Sequence, residues 1–374
     1  MSGTAERRPA RTEEETMKII QLLPTMSFGD AVSNDAAAIR QMIREMGYET
    51  EIYARNIDER LPEGSVRSMR DFREPAEEDL LIYHGSTGDA LNLRIPTMSG
   101  KKVMRYHNIT PPRYFTGYSR RSENLTANGY RDMKQIAKCF PYGIADSDYN
   151  RQDMRKLGFE CPIDVCPIVI PLEDYEKEPD EAVLARYRGD GWVNLLFVGR
   201  IAPNKKQEDV IRAFHHYHRY YNEKSRLFLV GSASGLEIYR DRLASYAKAL
   251  GIGENVIFPG QISFRAILAY YRLADVFVCM SEHEGFCVPI VEAMKFDKPI
   301  VALRAAAVPE TLGRAGLLLE DSDPAVAAAA IDRVTRDAKL QEGLRLERAR
   351  QMKRYRYEEV SKRMKECLKR AAEY

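Results

Sequence analysis

Short apolar runs alternate with helical patterns along almost the whole chain. The first apolar run covers residues 18–23, and a loop follows at 24–30. The next apolar positions recur at helical spacing and stop before Gly47: Ile39, Met42, Ile43 and Met46. Three more strand-like runs lie at 51–54, 80–83 and 103–106. Because strands that alternate with helices build parallel sheets with crossover helices, this half is predicted to be one doubly wound α/β domain.

The same alternation starts again near Trp192. Strands are predicted at 194–198, 227–230, 256–258, 276–279 and 300–303. Helices are predicted at 207–221, 236–250, 267–273 and 288–294. The C-terminal half is therefore predicted to be a second doubly wound domain.

A polar, proline-flanked segment, PLEDYEKEPD, separates the two patterns and is typical of a linker. The predicted organisation is a flexible tail, an N-terminal domain, the linker, a C-terminal domain and a final helix, at 1–16, 17–170, 171–180, 181–350 and 351–374. The final helical pattern is rich in Lys and Arg. It is expected to pack back across the domains, with a contact to an anionic membrane as the alternative.

Composition and charge narrow the class of protein. The chain has 374 residues, of which 44% are hydrophobic and 30% charged, as in soluble globular proteins. A net charge of +2 excludes a molecule built to coat nucleic acid. The first residues lack the apolar core of a secretory signal, and no apolar run approaches the ~18 residues of a membrane span. Six cysteines without a CxxC pair fit a reduced protein, so we expect a cytoplasmic location, with or without peripheral contact at the inner face of the membrane.

The densest group of chemical side chains is SEHEGFCVPIVE, residues 281–292, directly after the apolar run at 276–279. Open α/β sheets bind ligands where their strands end. Backbone amides around Gly285, at the start of a helix, are suited to hold a phosphate. Glu284 and Glu292 are suited to sugar and ribose hydroxyls, since carboxylates accept hydrogen bonds from vicinal diols. A helix-capping Glu292 and a solvated Glu284 are the alternative interpretation.

A second group, GRIAPNKK, follows the apolar run at 194–198. Departure of a nucleotide diphosphate develops negative charge, and without a metal ion a cation has to stabilise that charge. Arg200 offers a forked donor and Lys205 a point charge. Ordinary surface cations are the alternative interpretation.

Two acidic triplets have the form that metal-dependent transferases use to hold Mg²⁺. They are Asp146-Ser147-Asp148 and Asp321-Ser322-Asp323. Neither follows a clear buried run and both lie in polar turns, so the sequence predicts neither a metal site nor a cofactor.

The motifs GRIAPNK, FPGQI and SEHEGFCVPIVEAM, with a turn at Gly231 between the first two, resemble the GT-B family 4 retaining glycosyltransferases. The E-x7-E element from Glu284 to Glu292 is the hallmark of that family. The resemblance covers almost all of the second domain. In the first domain it is looser and rests on FGDAVSND, IYHG and RYHNITPP. It implies a GT-B fold, an α/β architecture in which two Rossmann-like, doubly wound domains face a central cleft.

The resemblance also implies roles for individual residues. The catalytic residues would be His107, Glu284, Arg200 and Lys205. The nucleotide-sugar donor would be bound by Arg200, Lys205, Gly260, Gln261, Ile262, Glu284, Gly285, Phe286, Cys287, Val288 and Glu292. The acceptor and phosphate loop would include Gly29, Asp30 and His84.

Some positions carry a second interpretation. His107 ends an apolar run before a turn with two prolines, which suits a site, while a core histidine is the alternative for His107 and even more for His84. The basic, aromatic segment 113–121 is expected to rim the acceptor side, with a solvated loop as the alternative. Cys287 stands where the family often has glycine, and alanines at 305–307 replace a stretch that is often glycine-rich.

The implied activity is transfer of a hexose-type sugar from a UDP- or GDP-sugar, GDP-mannose among them, to a glycan or lipid-linked acceptor. The resemblance implies retention of configuration, independence of metal ions and a role in cell-surface polysaccharide synthesis. One alternative is a catalytically silent GT-B scaffold subunit. Another is a retaining glycoside hydrolase with Glu284 and Glu292 as its carboxylate pair, although such an enzyme needs neither a phosphate loop nor paired cations.

Overall fold

The computed structural model describes residues 17–374, so the tail predicted at 1–16 lies outside the described residues. The described chain divides into two compact units. Unit 1 comprises residues 17–109, 124–170 and 357–374, and unit 2 comprises residues 110–123 and 171–356.

The strands within residues 17–374 are β1 (Lys18–Met26), β2 (Glu49–Ile57), β3 (Arg67–Ser68), β4 (Leu80–Gly85), β5 (Lys101–Tyr106), β6 (Tyr142–Ala145), β7 (Ile163–Val165), β8 (Val193–Val198), β9 (Ser225–Val230), β10 (Val256–Gly260), β11 (Val276–Cys279), β12 (Ile300–Leu303) and β13 (Leu317–Leu319). The α-helices are α1 (Ala31–Glu45), α2 (Arg120–Ile136), α3 (Asp148–Lys156), α4 (Glu181–Tyr187), α5 (Gln207–Tyr220), α6 (Glu237–Ala249), α7 (Phe264–Leu273), α8 (Val288–Lys295), α9 (Val308–Leu312), α10 (Pro324–Arg336), α11 (Ala338–Met352) and α12 (Tyr357–Glu373).

Unit 1 is built on a parallel sheet with the strand order β3-β2-β1-β4-β5-β6-β7. Its central strands are buried on both faces, which explains why they read as continuous apolar runs instead of alternating ones. Helix α1 begins where the Asp30 side chain accepts a hydrogen bond from Ser33 N, and it buries Ile39, Met42 and Ile43. The order in which strands are added reverses between β1 and β4. Because all pairs are parallel, the carboxyl ends of β1, β4, β5 and β6 share one edge of the sheet.

Unit 2 has a second parallel sheet with the order β10-β9-β8-β11-β12-β13. The strand order reverses between β8 and β11, which makes the carboxyl edge of these two strands a topological switch point. Gly231 follows β9 with φ +149°, and a Cβ at this position would lie 2.0 Å from Gly199 O. Glycine is therefore required for the loops after β8 and β9 to approach so closely.

Every strand and helix predicted from the apolar pattern is present, and most differ from the prediction only at their ends. Most of the elements that the prediction lacks are short or polar, such as β3, β6, β7, α2 and α3, while the missed α10 is a 13-residue, alanine-rich helix. The four-residue strands β11 and β12 were predicted because every residue in them is apolar, whereas β6 contains a glycine.

The unit boundaries differ from the predicted domain limits in three places. Residues 110–123 group with unit 2. The segment predicted as a linker, 171–180, contains a 3₁₀ turn whose Tyr175 is buried in unit 2. The long basic helical pattern is interrupted at 353–356. There the hydroxyl of the buried Tyr355 donates a hydrogen bond to Thr311 O at 2.9 Å. The helix that follows the interruption, α12, belongs to unit 1.

Helix α12 packs one apolar face against unit 1. The buried residues Val360, Met364 and Leu368 join the same core cluster as Ile19 and Ile39. Among residues 17–374, none of the helices combines the length and the apolar character needed to span a membrane.

Candidate functional site

The loops that follow β8 and β11 meet at the switch point of unit 2. Lys205 Nζ lies 2.6 Å from Glu284 Oε2, and the two side chains are 21% and 9% exposed. The structure therefore brings together the cation and the carboxylate that the two sequence motifs single out. They form one pair at the edge of the sheet where α/β proteins bind ligands.

Further hydrogen bonds fix the two loops against each other. Asn204 Nδ2 donates to His283 O at 3.0 Å, and Glu282 N donates to Asn204 O at 3.0 Å. Asn204 and His283 are both buried. These hydrogen bonds hold Asn204 and His283, the neighbours of Lys205 and Glu284, against each other. They thereby orient the two side chains of the ion pair.

The charge state of Lys205 depends on Glu284. Burial is the largest single effect and lowers the pKa of Lys205, but Glu284 together with Cys287 and Cys279 brings the pKa above its ordinary value. The ammonium group has three donors, and Glu284 engages one of them. A charged group with donors to spare is suited to bind an anion such as a phosphate.

The turn into α8 adds backbone groups to this edge. Cys287 precedes the helix with φ +75°, a left-handed conformation that glycine adopts more readily, and Pro289 lies in the first helical turn. Phe286 is buried against the ring of Tyr355 and its carbonyl accepts a hydrogen bond from Thr311. Gly285, Phe286, Cys287 and Val288 thus form a rigid entry to the helix N-terminus.

Glu292 lies in the first turns of α8 and is held by two tyrosines. Its Oε2 accepts a hydrogen bond of 2.5 Å from the Tyr271 hydroxyl, and its Oε1 accepts one from the Tyr175 hydroxyl. Burial raises the pKa of Glu292, while the two hydroxyl donors act in the opposite direction. Each carboxylate oxygen keeps a second lone pair, so the group can still accept hydrogen bonds from a ligand.

The remaining predicted donor residues lie at neighbouring strand ends of the same sheet. Arg200 directs its guanidinium to Ser234 O, 3.2 Å away in the loop after β9. Arg200 belongs to the same loop after β8 as Lys205. Gly260 ends β10, the edge strand, and Gln261 and Ile262 follow it. These three residues share the carboxyl edge with the Lys205–Glu284 pair but lie further along the strand order.

The basic, aromatic segment 113–121 packs on unit 2. The Tyr114 ring lies 6.2 Å from the His283 ring, and Phe115 is buried in the same core as β8 and α5. The Tyr118 ring contacts Tyr239 at 5.1 Å. The aromatic residues therefore anchor the segment on unit 2. The alternative interpretation, a solvated loop, does not describe these contacts.

A second polar cluster lies in unit 1, across the neighbouring strands β1, β4, β5 and β6. Gln21 lies within β1 and His84 within β4, while His107 and Asp146 directly follow β5 and β6. Their side chains form a hydrogen-bonded row, with Gln21 Oε1 3.0 Å from His84 Nε2, His84 Nδ1 2.8 Å from His107 Nε2, and His107 Nδ1 3.0 Å from Asp146 Oδ2. The structure thus brings His84 and His107 into direct contact.

The row is joined to a buried ion-pair network. Arg105, which is fully buried, lies 2.9 Å from both Asp35 Oδ2 and Asp146 Oδ1. Its Nη1 also donates to Cys166 O at 2.8 Å. The two carboxylates raise the pKa of Arg105 despite its burial. Arg105 therefore stays charged and fixes Asp146 beside His107.

Gly29 and Asp30 lie in the loop between β1 and α1. Gly29 has φ +75°, and open space surrounds the position of a Cβ. The carboxylate of Asp30 accepts hydrogen bonds from Ser33 N and Oγ, both at 3.1 Å, so its role in the structure is that of a helix N-cap.

Two groups of side chains have ligand atoms within 4.8 Å of one another, which is close enough for a metal ion. In Asp35, His84 and His107, the ring nitrogens and carboxylate are engaged by each other and by Arg105. In Cys279, Glu284 and Cys287, the carboxylate is paired with the Lys205 ammonium. Each group thus has partners that compete with a cation.

The structure identifies site residues that the sequence prediction lacks. The statement that neither acidic triplet follows a buried strand is wrong for Asp146, because the fully buried β6 precedes it directly. The four-residue run YGIA was the available signal. The sequence around Gln21, Tyr175 and Tyr271 did not indicate a site, because each has the character of an ordinary core or turn residue in its segment.

Taken together, two parallel-sheet α/β units with charged loops at their strand ends define a two-unit α/β protein with a topological switch point in unit 2. Residues 190–358 match the family model described as "Glycosyl transferases group 1". For this segment, the match confirms the resemblance that its motifs indicated.

Curated relatives carry related names. The chain is 34% identical over 167 residues to the D-inositol 3-phosphate glycosyltransferase of Acidothermus cellulolyticus, covering 43% of the chain and 36% of that protein. It is 25% identical over 271 residues to the O-antigen chain mannosyltransferase B of Escherichia coli, covering 70% and 65%. The matches thus span between about a third and two thirds of these relatives' lengths.

Solved structures establish the fold. Sucrose-phosphate synthase from Thermosynechococcus elongatus has a TM-score of 0.74 at 18% identity, covering 94% of the chain and 98% of that structure. Anabaena HepE, in complex with UDP and glucose, has a TM-score of 0.74 at 18% identity, covering 95% and 100%. The predicted GT-B fold class is confirmed.

Proposed function

We propose that the chain is a retaining glycosyltransferase that moves a hexose-type sugar from a UDP- or GDP-sugar to a glycan or lipid-linked acceptor. The observation that carries the proposal is the Lys205–Glu284 pair at the switch point of unit 2. A charged lysine and a carboxylate at the same strand edge are suited to the two chemical parts of such a donor, its diphosphate and its sugar hydroxyls.

Each member of the unit 2 site has a task in this proposal. Arg200 and Lys205 bind the diphosphate, together with the backbone amides at the start of α8. The free oxygen of Glu284 accepts a hydrogen bond from the donor sugar. Glu292, oriented by Tyr175 and Tyr271, accepts hydrogen bonds from the ribose hydroxyls.

In the reaction, the bond between the sugar C1 and the diphosphate oxygen breaks, and a bond from the acceptor oxygen to C1 forms on the same face of the sugar. The acceptor proton passes to the departing phosphate oxygen, which balances the step. The cations of unit 2 stabilise the negative charge that develops on the diphosphate, so the proposal requires no metal ion. His107 keeps, as part of this proposal, the catalytic role that the resemblance implies.

The acceptor and the setting remain part of the proposal. The Escherichia coli relative is named for O-antigen chain synthesis, and a relative from Mycolicibacterium smegmatis is named for GDP-mannose and a phosphatidylinositol mannoside. These names support an acceptor that is a growing glycan or is carried by a lipid, used at the cytoplasmic face of a membrane in cell-surface polysaccharide synthesis.

The test combines binding with turnover. Calorimetry with UDP and GDP identifies the base, and a panel of UDP- and GDP-sugars with an extract-derived acceptor mixture identifies the donor. We expect nucleotide release that persists in EDTA and a product of retained anomeric configuration. The variants R200A and E284A should each lower kcat/KM by about 100-fold or more.

A matched control is the exposed ion pair Arg304–Glu320 in unit 2, whose charged atoms lie 2.7 Å apart. The variants R304A and E320A should transfer sugar at the parent rate. Equal rates for the parent, R200A and E284A would refute the site assignment. Absence of nucleotide binding would favour the scaffold subunit, and nucleotide-independent cleavage of a glycoside would favour the hydrolase.

A further inference from the structure

The hydrogen-bonded row in unit 1 fixes its own proton count. Gln21 Nε2 donates to Ala36 O at 3.0 Å, so the amide is oriented with Oε1 towards His84 Nε2. An amide oxygen can only accept, and His84 Nε2 therefore carries a proton. At the other end, Asp146 is an acceptor as a carboxylate, and His107 Nδ1 therefore carries a proton as well.

The contact between the two rings needs a third proton. His84 Nδ1 and His107 Nε2 lie 2.8 Å apart, which is a hydrogen-bond distance only if one nitrogen carries hydrogen. Two bare lone pairs at this distance would repel each other. The two rings thus share three protons on four nitrogens, whereas two neutral imidazoles carry only two.

The surrounding charges lead to the same count. Arg105, Asp35 and Asp146 are buried together, and one cation with two carboxylates leaves one negative charge in the interior. A buried charge without a partner is costly, and one imidazolium restores neutrality. Arg105 Nη2 lies 2.9 Å from Asp146 Oδ1, and a guanidinium at this distance is the partner of a carboxylate, which places the shared proton on the rings.

We propose that the His84–His107 pair permanently holds one positive charge, centred on His107 beside Asp146, and that His84 is a positioning residue that maintains it. Burial lowers the pKa of His84 well below its ordinary value, in keeping with a neutral His84. The groups that face the pair are Gln21 from β1, Arg105 from β5, Asp146 after β6 and Asp35 from α1.

The functional part of this inference rests on the proposed function. Within that function, it changes the role of His107. Both ring nitrogens of His107 are committed, one to His84 and one to Asp146. The ring has no free lone pair, so His107 is not a general base for the acceptor hydroxyl. It acts through a fixed charge, which stabilises negative charge on a reacting group.

The decisive measurement is ¹⁵N NMR of the histidine rings in the full chain, recorded from pH 6 to pH 9. The chain has six histidines, and the variants H107Q and H84Q assign two of them. We expect the His107 ring to keep both N–H groups at pH 9, where exposed histidines, with an ordinary pKa of ~6.5, are neutral. Single protonation of both rings at pH 7.5 would overturn the proposal.

Asp146→Asn supplies a second readout, because it removes the balancing charge without changing size. The ring pair should then lose its third proton within the measured range, and kcat/KM should fall as pH rises through that point, while the parent profile stays level. Asp148→Asn, two residues further on and 41% exposed in its pair with Arg151, is the matched control and should leave the ring signals unchanged. Ring signals in D146N that match those of the parent at every pH would contradict the inference.

The NMR readout needs no substrate, so the two proposals fail separately. A charged pair in a chain that transfers no sugar would refute the proposed function alone. Sugar transfer by a chain whose histidine pair is neutral would refute the inference alone.

Discussion

Lys205 and Glu284 are 79 positions apart in the chain, yet Nζ and Oε2 lie 2.6 Å from each other at neighbouring strand ends. The pair joins a cation to a carboxylate, and both side chains are largely buried. The carboxylate is one of the groups that raise the pKa of Lys205. Removal of either partner from a largely buried pair leaves the other without its counter-charge.

The variant E284Q tests the coupling through pH. In the parent, the raised pKa keeps Lys205 charged, and the stabilisation that this charge contributes is lost only as pH rises through that pKa. Without the carboxylate, the main group that opposes the effect of burial is gone, and the pKa of Lys205 should be lower than in the parent. We therefore expect the affinity of E284Q for UDP or GDP to fall at a lower pH than that of the parent as pH rises. Calorimetry at several pH values measures this, and parallel curves for parent and variant would contradict it.

The variant Y271F tests how Glu292 is oriented. Loss of one hydroxyl donor to Oε2 should raise the KM for the donor about three- to tenfold, which corresponds to about one hydrogen bond, with kcat nearly unchanged. The neighbouring Tyr270 packs against Tyr187 and Phe228 instead, so Y270F is the matched control. Steady-state kinetics would oppose the assignment if both variants shifted KM alike.

The variant G231A tests the close approach of two loops. A Cβ would lie 2.0 Å from Gly199 O, next to Arg200, and the backbone conformation is unfavourable for alanine. We expect a loss of about 3 kcal/mol or more in the free energy of unfolding. Gly235 also has positive φ, but nothing lies within 4 Å of its Cβ position, so G235A should cost only about 1 kcal/mol. Urea denaturation compares the two, and equal losses would exclude the steric explanation.

The variant R105M tests the buried network of unit 1. It leaves Asp35 and Asp146 without their common cation, and we expect a loss of about 3–5 kcal/mol in the free energy of unfolding. Arg55 and Asp89 form a pair at the same 2.9 Å, but Arg55 is 41% exposed, so R55M should cost less than about 1 kcal/mol. Denaturation at pH 7 separates the two cases, and similar losses would contradict the role of burial.

The sequence predicted the parts of the fold that depend on local pattern. Runs such as β8 and β11 are long enough and apolar enough to be recognised, and their helices follow at the expected period. The strand β6 has the same four-residue length as β11 but the sequence YGIA, in which a glycine interrupts the apolar run, so it was missed and Asp146 was set aside with it. The break at 353–356 was missed because no glycine or proline occurs there. It follows the end of α11, where the buried Tyr355 makes a hydrogen bond to Thr311 of unit 2.

By itself, the sequence determined which side chains follow the ends of strands, because this depends only on residues that are adjacent along the chain. Arg200 and Lys205 follow one apolar run, and Glu284 and Glu292 follow another. Which strand ends lie side by side was decided by the order of strands in each sheet. That order depends on packing between distant segments, so only the tertiary structure joined Lys205 to Glu284 and lined up Gln21, His84, His107 and Asp146. Hydrogen bonds act over about 3 Å, and distances of that size are set by the fold and not by spacing along the chain.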